Sequence, residues 1–424
     1  MEGLKMTDIS ADATAALAQV NRGELVDLAC DLVRTPSVKG DEAKLAHKMA
    51  KWFEERGYDV WLHELDHGLA QVIATLKGTG GGKSLMFNGH LDIDPVTTFG
   101  WSRDPFEPHV DGNRLYGAGI INMKGPDASF IHAAEAIRKS GVKLKGDLVV
   151  ALVCGELQGG YGMEELLNTG YRTDMAICCE PFGTWNVLTM NVGVTTFAVS
   201  VKGKTEHIMY KKNGVDAIQK MLKVIPAIDA IEFTYEYRAD LPDVPAVHVG
   251  AIIGGRGDNY NLKGPNYVSD YCTVLVDVRF LPGQTIETVR QDFIRAIDKA
   301  KALDPEIEYT VEAPPPAYFG TGLTRGHEPF EISPDEYIVQ TVVKYRSQVM
   351  GEPPELVGVH NPGSYSGDDT SHLWRAGIPC VLFGPGHPNG IKSAFADEFM
   401  DIDDMEAHSK ILVLTALEVC NLDA

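Results

Sequence analysis

Two textures of strand and helix, one interrupting the other, constrain what this chain can fold into more than any single motif does. In the first 190 residues, apolar or alternating runs at 60–65, 71–76, 84–87 and 148–153 are separated by helical stretches. Leu25, Leu28 and Leu32 recur at helical spacing before Pro36, Leu45, Met49 and Phe53 do so before Gly57, and a further helix fits 127–140. Alternation of this kind calls for a layered α/β domain, because the sheet must be covered by helices. From Gly193 the pattern changes to a β-rich run reaching Val201, a helix over about 214–228, β material at 249–254 and 272–280, and a helix near 286–302. Pro314, Pro315 and Pro316 then punctuate the chain, after which a helix at 335–350, a buried strand at 380–383 and a closing helix at 404–422 resume the first texture. The predicted organisation is a discontinuous α/β domain, 1–192 with 311–424, carrying an inserted α+β domain at 193–310.

At 424 residues the chain exceeds what one hydrophobic core usually holds, which agrees with two domains. Lys and Arg number 38 against 59 Asp and Glu, a net charge of -21 that disfavours nucleic acid and anionic membranes as partners. No apolar run reaches the roughly 18 residues of a membrane helix, and the first twenty residues lack a secretory pattern, so a cytoplasmic location is expected. The seven cysteines are odd in number and show neither zinc-knuckle nor disulfide-framework spacing, and they are expected to be buried thiols.

The strand at 84–87 runs into Asn88-Gly-His-Leu-Asp92, and ligand-binding groups gather at the carboxyl ends of strands in open α/β sheets. His90 and Asp92 alternate with Leu91, so the carboxylate can orient the imidazole as it does for metal-binding histidines. An ordered series follows: Trp101-Ser-Arg-Asp-Pro-Phe106, Leu115-Tyr-Gly-Ala-Gly119, Ile121-Asn-Met-Lys-Gly125, Cys154-Gly-Glu-Leu-Gln-Gly-Gly-Tyr-Gly162 and Cys179-Glu-Pro181. It continues with Gly203-Lys-Thr-Glu-His207, Asn266 eleven residues before Asp277-Val-Arg279, Ser366-Gly-Asp-Asp369 and Phe383-Gly-Pro-Gly386. Together these resemble the two-metal aminoacylase, carboxypeptidase G, acetylornithine deacetylase and succinyl-diaminopimelate desuccinylase superfamily, over roughly residues 22 to 420.

The resemblance implies a zinc-peptidase-like catalytic domain of α/β class with an inserted α+β dimerisation, or lid, domain. It places a metal ligand at His90, a steadying carboxylate at Asp92, a general base at Glu156 and a second ligand of the same metal at Glu180. His207 matches the inserted-domain histidine that reaches the partner subunit's site in a homodimer, and Asn266 matches its helper. Arg279 lies where an arginine follows the strand in the family, and the loop Gly384-Pro-Gly386 can bring backbone amides close to a carboxylate; with Asn266 and Asn122 these are the candidate substrate contacts, and His387 and Lys392 are further polar candidates nearby.

The departures concern the metals. Asn122 stands where the family bridges both ions with an aspartate, Leu157 where it has a ligand glutamate, and Ala394, four residues before Glu398, where it has a histidine. What remains predicts no certain cofactor, and at most one divalent ion (Zn, Co or Mn) held weakly by His90 and Glu180 with the Asn122 carbonyl. The function implied is hydrolysis of a C–N amide bond in a small carboxylate-bearing metabolite. Two other readings stand beside it: a metal-independent lyase or isomerase using Glu156, His90 and Asp92 for proton transfer, and a binding protein without catalysis.

Overall fold

The computed structural model describes residues 10–97, 99–316, 325–360, 363–386 and 395–424. The chain separates into two compact units: Met1–Asn191 with Phe330–Ser364 and Asp368–Ala424, and Val192–Pro329 with Tyr365–Gly367. The first unit is thus discontinuous. The second runs beyond residue 310 because Glu308–Glu312 pairs antiparallel with Gly193–Lys202, and Val194 bridges His327.

The first unit is built on an eight-stranded sheet. Its order is Asp59–Glu64, Ala70–Leu76, Leu148–Val153, Leu85–His90, Met175–Cys178, Cys380–Leu382, Asn186–Leu188 and Leu356–Gly358. Leu85–His90 lies parallel to strands on both sides, Leu148–Val153 and Met175–Cys178. All six residues of Leu85–His90 and of Leu148–Val153 are buried, as a parallel sheet covered on both faces requires.

The covering helices follow the predicted periodicities. Arg22–Val33 buries Leu25, Leu28 and Leu32, and Ala43–Glu54 buries Leu45, Met49 and Phe53. Asn21 caps the first of these by accepting from Glu24 N at 3.1 Å. Gly125–Ser140 and Ile402–Val419 pack together, tied by buried His408, which contacts Ser129 Oγ at 2.6 Å and the Phe383 carbonyl at 3.1 Å. Short elements such as Tyr161–Asn168, Asn186–Leu188 and Thr370–Arg375 carry too few residues for a periodicity to show in the sequence.

The second unit has its own core, in which Ala217–Asp229 and Ile286–Leu303 contribute buried faces beside a four-stranded sheet. The strand order is Ala246–Gly255, Tyr271–Phe280, Gly193–Lys202 and Glu308–Glu312, antiparallel throughout. All seven cysteines are free, and six are buried, Cys30 being half-buried. Among the described residues, no helix is long and apolar enough to cross a membrane.

Candidate active site

The central strand Leu85–His90 delivers His90 to its carboxyl end, and the imidazole is sealed from solvent. Its Nδ1 donates to the Asp92 carbonyl at 2.8 Å, and the Asp92 carboxylate stands 3.5 Å away. On the other side of the ring, Nε2 lies 3.0 Å from Asn122 Oδ1. Glu156 Oε2 and Glu180 Oε1 each stand 3.7 Å from the same nitrogen. Thus four of the residues picked from the motifs converge on one imidazole.

Asp92 does more than steady His90. Its two oxygens accept from Glu156 N at 3.1 Å and Leu157 N at 2.9 Å, so one carboxylate fixes both the histidine and the loop that presents the base. That loop follows the strand Leu148–Val153, and Gly155 turns it with φ +67, a left-handed conformation that suits glycine. Lys39 adds a third tie by donating from Nζ to the Leu157 carbonyl at 2.7 Å.

Charge in this cluster is strongly interdependent. Burial alone would depress the His90 pKa, but the carboxylates of Asp92, Glu156 and Glu180 outweigh it and hold the imidazole well above 6.5. Burial likewise opposes ionisation of Asp92, yet His90 and the two backbone donors keep its pKa below 3.8. Glu180 moves the other way: burial raises it well above 4.5, with Glu156, Asp368 and Asp369 adding to the rise against the lowering by His90.

At the positions where the resemblance places metal ligands, two side chains differ in donor chemistry from a two-metal set. Leu157 offers no side-chain lone pair, and Asn122 brings a neutral oxygen where a bridge between two cations calls for an anion. Ala394, His387 and Lys392 lie outside the described residues. Asn122 Oδ1 at 3.0 Å and Glu180 Oε1 at 3.7 Å from His90 Nε2 are the oxygens that would join His90 around a single divalent ion; among the described residues no group of three His, Cys, Asp or Glu side chains is arranged to hold a metal.

The remaining candidates divide between the units. In the second unit, His207 Nε2 lies 3.2 Å from Asn266 Nδ2, so this pair is brought together. Arg279, by contrast, is engaged along its own strand: Nε donates to Asp277 Oδ1 at 2.8 Å and Nη2 to Asp277 Oδ2 at 3.2 Å. In the first unit, the loop bearing Gly384 and Gly386 presses on the backbone of 179–183. A Cβ at Gly384 would sit 2.3 Å from the Cys179 carbonyl oxygen, and one at Gly386 would sit 2.5 Å from Gly183 N. The Gly386 amide does meet a carboxylate, but it is the chain's own Asp404, at 2.7 Å.

Several buried groups near the site escaped the motif reading. Lys124 is fully buried and donates to the Thr35 carbonyl at 2.8 Å, and burial lowers its pKa to about 7. Asp127 and Glu398 are buried carboxyls that both interact electrostatically with it. Lys124 stood inside a quoted motif and Glu398 served only to place Ala394, but sequence carries no signal that a lysine in a helix entry is sealed from water.

This geometry can be set beside known proteins. The model of Peptidase family M20/M25/M40 matches residues 86–418, more than half of the chain. The chain belongs to that family. Among relatives, it is 27% identical over 425 residues to an N-formyl-4-amino-5-aminomethyl-2-methylpyrimidine deformylase of Halalkalibacterium halodurans, covering 95% of this chain and 96% of that protein. It is 26% identical over 384 residues to an acetylornithine deacetylase of Salmonella paratyphi B, covering 87% of this chain and 91% of that protein. The fold matches that of the dipeptidase Dug1p of Saccharomyces cerevisiae with a TM-score of 0.75 at 14% identity, over 97% of this chain and 99% of that one. It also matches an M20 metallo-carboxypeptidase of Sulfolobus solfataricus with a TM-score of 0.72 at 16% identity, over 94% and 99% of the two chains. As a member of the M20 family this protein is a hydrolase acting on C–N bonds, and the relatives support amide hydrolysis on small metabolites.

Proposed function

We propose that this M20 family member hydrolyses an amide bond of a small carboxylate-bearing metabolite, with Glu156 as general base, at a centre reduced to one divalent ion at most. The observation that carries the reading is the placement of Glu156 Oε2 at 3.7 Å from His90 Nε2, on a loop locked by Asp92. The base accepts a proton from the attacking water and returns it to the departing nitrogen, which balances the hydrolysis without another acid. His90, Asn122 and Glu180 would hold the ion, which when bound lowers the pKa of water to about 7. Deformylation and deacetylation, the activities named for the relatives, are both amide hydrolyses, which favours this reading over a lyase, an isomerase or a binding protein.

Metal content tests the reduced centre. Purified protein saturated with Zn, Co or Mn and then desalted is expected to retain no more than one equivalent per chain by elemental analysis. Two stoichiometric ions, both removed by chelator together with activity, would show that residues 122, 157 and 394 do not limit the site.

A homodimer through the second unit completes the proposal. His207 and Asn266 would then supply hydrogen-bond donors to the oxyanion in the partner subunit's site. The edge strand Ala246–Gly255 supports this, since Ile252 is 56% and Ile253 41% exposed, and Met209 beside His207 is 77% exposed. Sedimentation is expected to give a dimer, with His207→Ala impairing turnover; a fully active monomer rules out the cross-subunit role. A cytoplasmic setting accords with the seven free thiols.

A further inference from the structure

The turn that presents Glu156 is built largely of glycine, which gives up more conformational freedom on folding than any other residue. Gly155, Gly159 and Gly160 all take left-handed conformations there, with φ of +67, +84 and +73. Within the turn, the Glu156 carbonyl accepts from Gly159 N at 2.8 Å and from Gly160 N at 3.0 Å. Outside it, Asp92 holds the leading end through the amides of 156 and 157. The trailing end is held by a distant segment of the first unit, the short helix Thr370–Arg375. There His372 Nε2 lies 3.0 Å from the Gly159 carbonyl oxygen, across 213 residues of sequence. A carbonyl oxygen only accepts, so Nε2 carries the hydrogen and donates.

The same helix crowds the next residue. A Cβ on Gly160 would come within 2.4 Å of His372 Nε2 and 2.9 Å of Asp369 Oδ1. Asp369 is tied in turn to the strand that carries His90, since its Oδ2 accepts from Asn88 Nδ2 at 3.4 Å. Gly159 is buried, and a sealed carbonyl that loses its donor is costly, so the turn has reason to stay where His372 holds it.

We propose that His372 is a positioning residue for the general base: its Nε2–H pins the Gly159 carbonyl and so fixes where the Glu156 carboxylate stands relative to His90 and the reacting water. The proposal rests on the amide-hydrolase reading and goes beyond it by naming a residue that acts through Glu156 without touching substrate. With Asp92 at one end of the turn and His372 at the other, the base between them cannot swing on its glycines. Loss of the second tie lets it drift, and a misplacement of about 1 Å costs on the order of 10²-fold in rate.

Kinetics on N-formylmethionine and N-acetylmethionine, with melting curves of each protein, test the clamp. His372→Leu is expected to lower kcat by about 10–100-fold with KM changed less than about threefold. His372→Gln, whose amide nitrogen reaches the same carbonyl, should stay within about threefold of the wild type in kcat. In a Glu156→Gln background His372→Leu should add nothing to the loss, because it acts only through the base. If His372→Leu does not fold, His372→Asn, whose amide stops short of Gly159, takes its place. An unchanged kcat in the variant without the donor, no recovery with glutamine, or an equal further loss in the Glu156→Gln background overturns the assignment. If the wild type hydrolyses neither compound, the kinetics speak to the hydrolase reading alone, and hydrogen exchange decides the clamp. The Gly159 and Gly160 amides should then exchange at least about tenfold faster in His372→Leu and at the wild-type rate in His372→Gln; equal rates in all three proteins overturn it.

Discussion

Glu156→Gln lowers kcat by about 10²–10⁴-fold, the range over which a positioned general base contributes, while the protein stays folded. The loop conformation does not depend on the carboxylate, because the backbone amides of 156 and 157 are held by Asp92. Glutamine keeps the length of the side chain and loses its capacity to take a proton. Steady-state kinetics on a formyl or acetyl amide, with melting curves of both proteins, make the comparison. Activity within tenfold of the wild type would remove Glu156 from its assigned role. Loss of kcat with a KM changed only a few-fold separates a missing base from a damaged pocket.

Asp127→Asn stabilises the first unit, and the gain grows with pH. Asp127 is 1% exposed, both its oxygens lack hydrogen-bond partners, and it packs where a Cβ on Gly89 would come within 2.4 Å of Oδ1. Burial raises its pKa well above 3.8, and Asp92 adds to the rise while His90 and Lys124 oppose it. A raised carboxyl pKa means that the folded chain keeps a proton the unfolded chain has released. Stability from this group is therefore complete below the unfolded pKa of about 3.9 and falls as pH rises toward the folded value, by about 1.4 kcal/mol per pH unit. Asparagine does not titrate, so denaturation midpoints of the two proteins should nearly coincide near pH 4 and separate by pH 8, the variant being the more stable. A variant less stable than the wild type at pH 8 would mean that Asp127 is ionised and held by Lys124.

How much of the site could be read without coordinates depended on distance along the chain. His90 and Asp92 are two residues apart on an extended segment, so their shared direction follows from strand geometry. That Asp92 also grips the amides of 156 and 157 joins positions 64 and 65 residues apart, a pairing that no local periodicity encodes. The parallel pairing of Leu85–His90 with Leu148–Val153 brings these segments side by side. Arg279 illustrates the opposite case, a residue singled out by position whose guanidinium the strand commits to Asp277.

Sequence by itself determined the layered class, the interruption by a second unit and the pairing of His90 with Asp92, because apolar periodicity and strand alternation are local properties, whereas Asn122, Glu156 and Glu180 were named through the family resemblance. Tertiary structure alone decided which polar groups are sealed from water and which of them lack partners. Lys124, Asp127 and Glu398 look like ordinary surface residues when written in a row. Their energies are set by what packs around them, since desolvation and missing hydrogen bonds arise only when distant segments close over a charge.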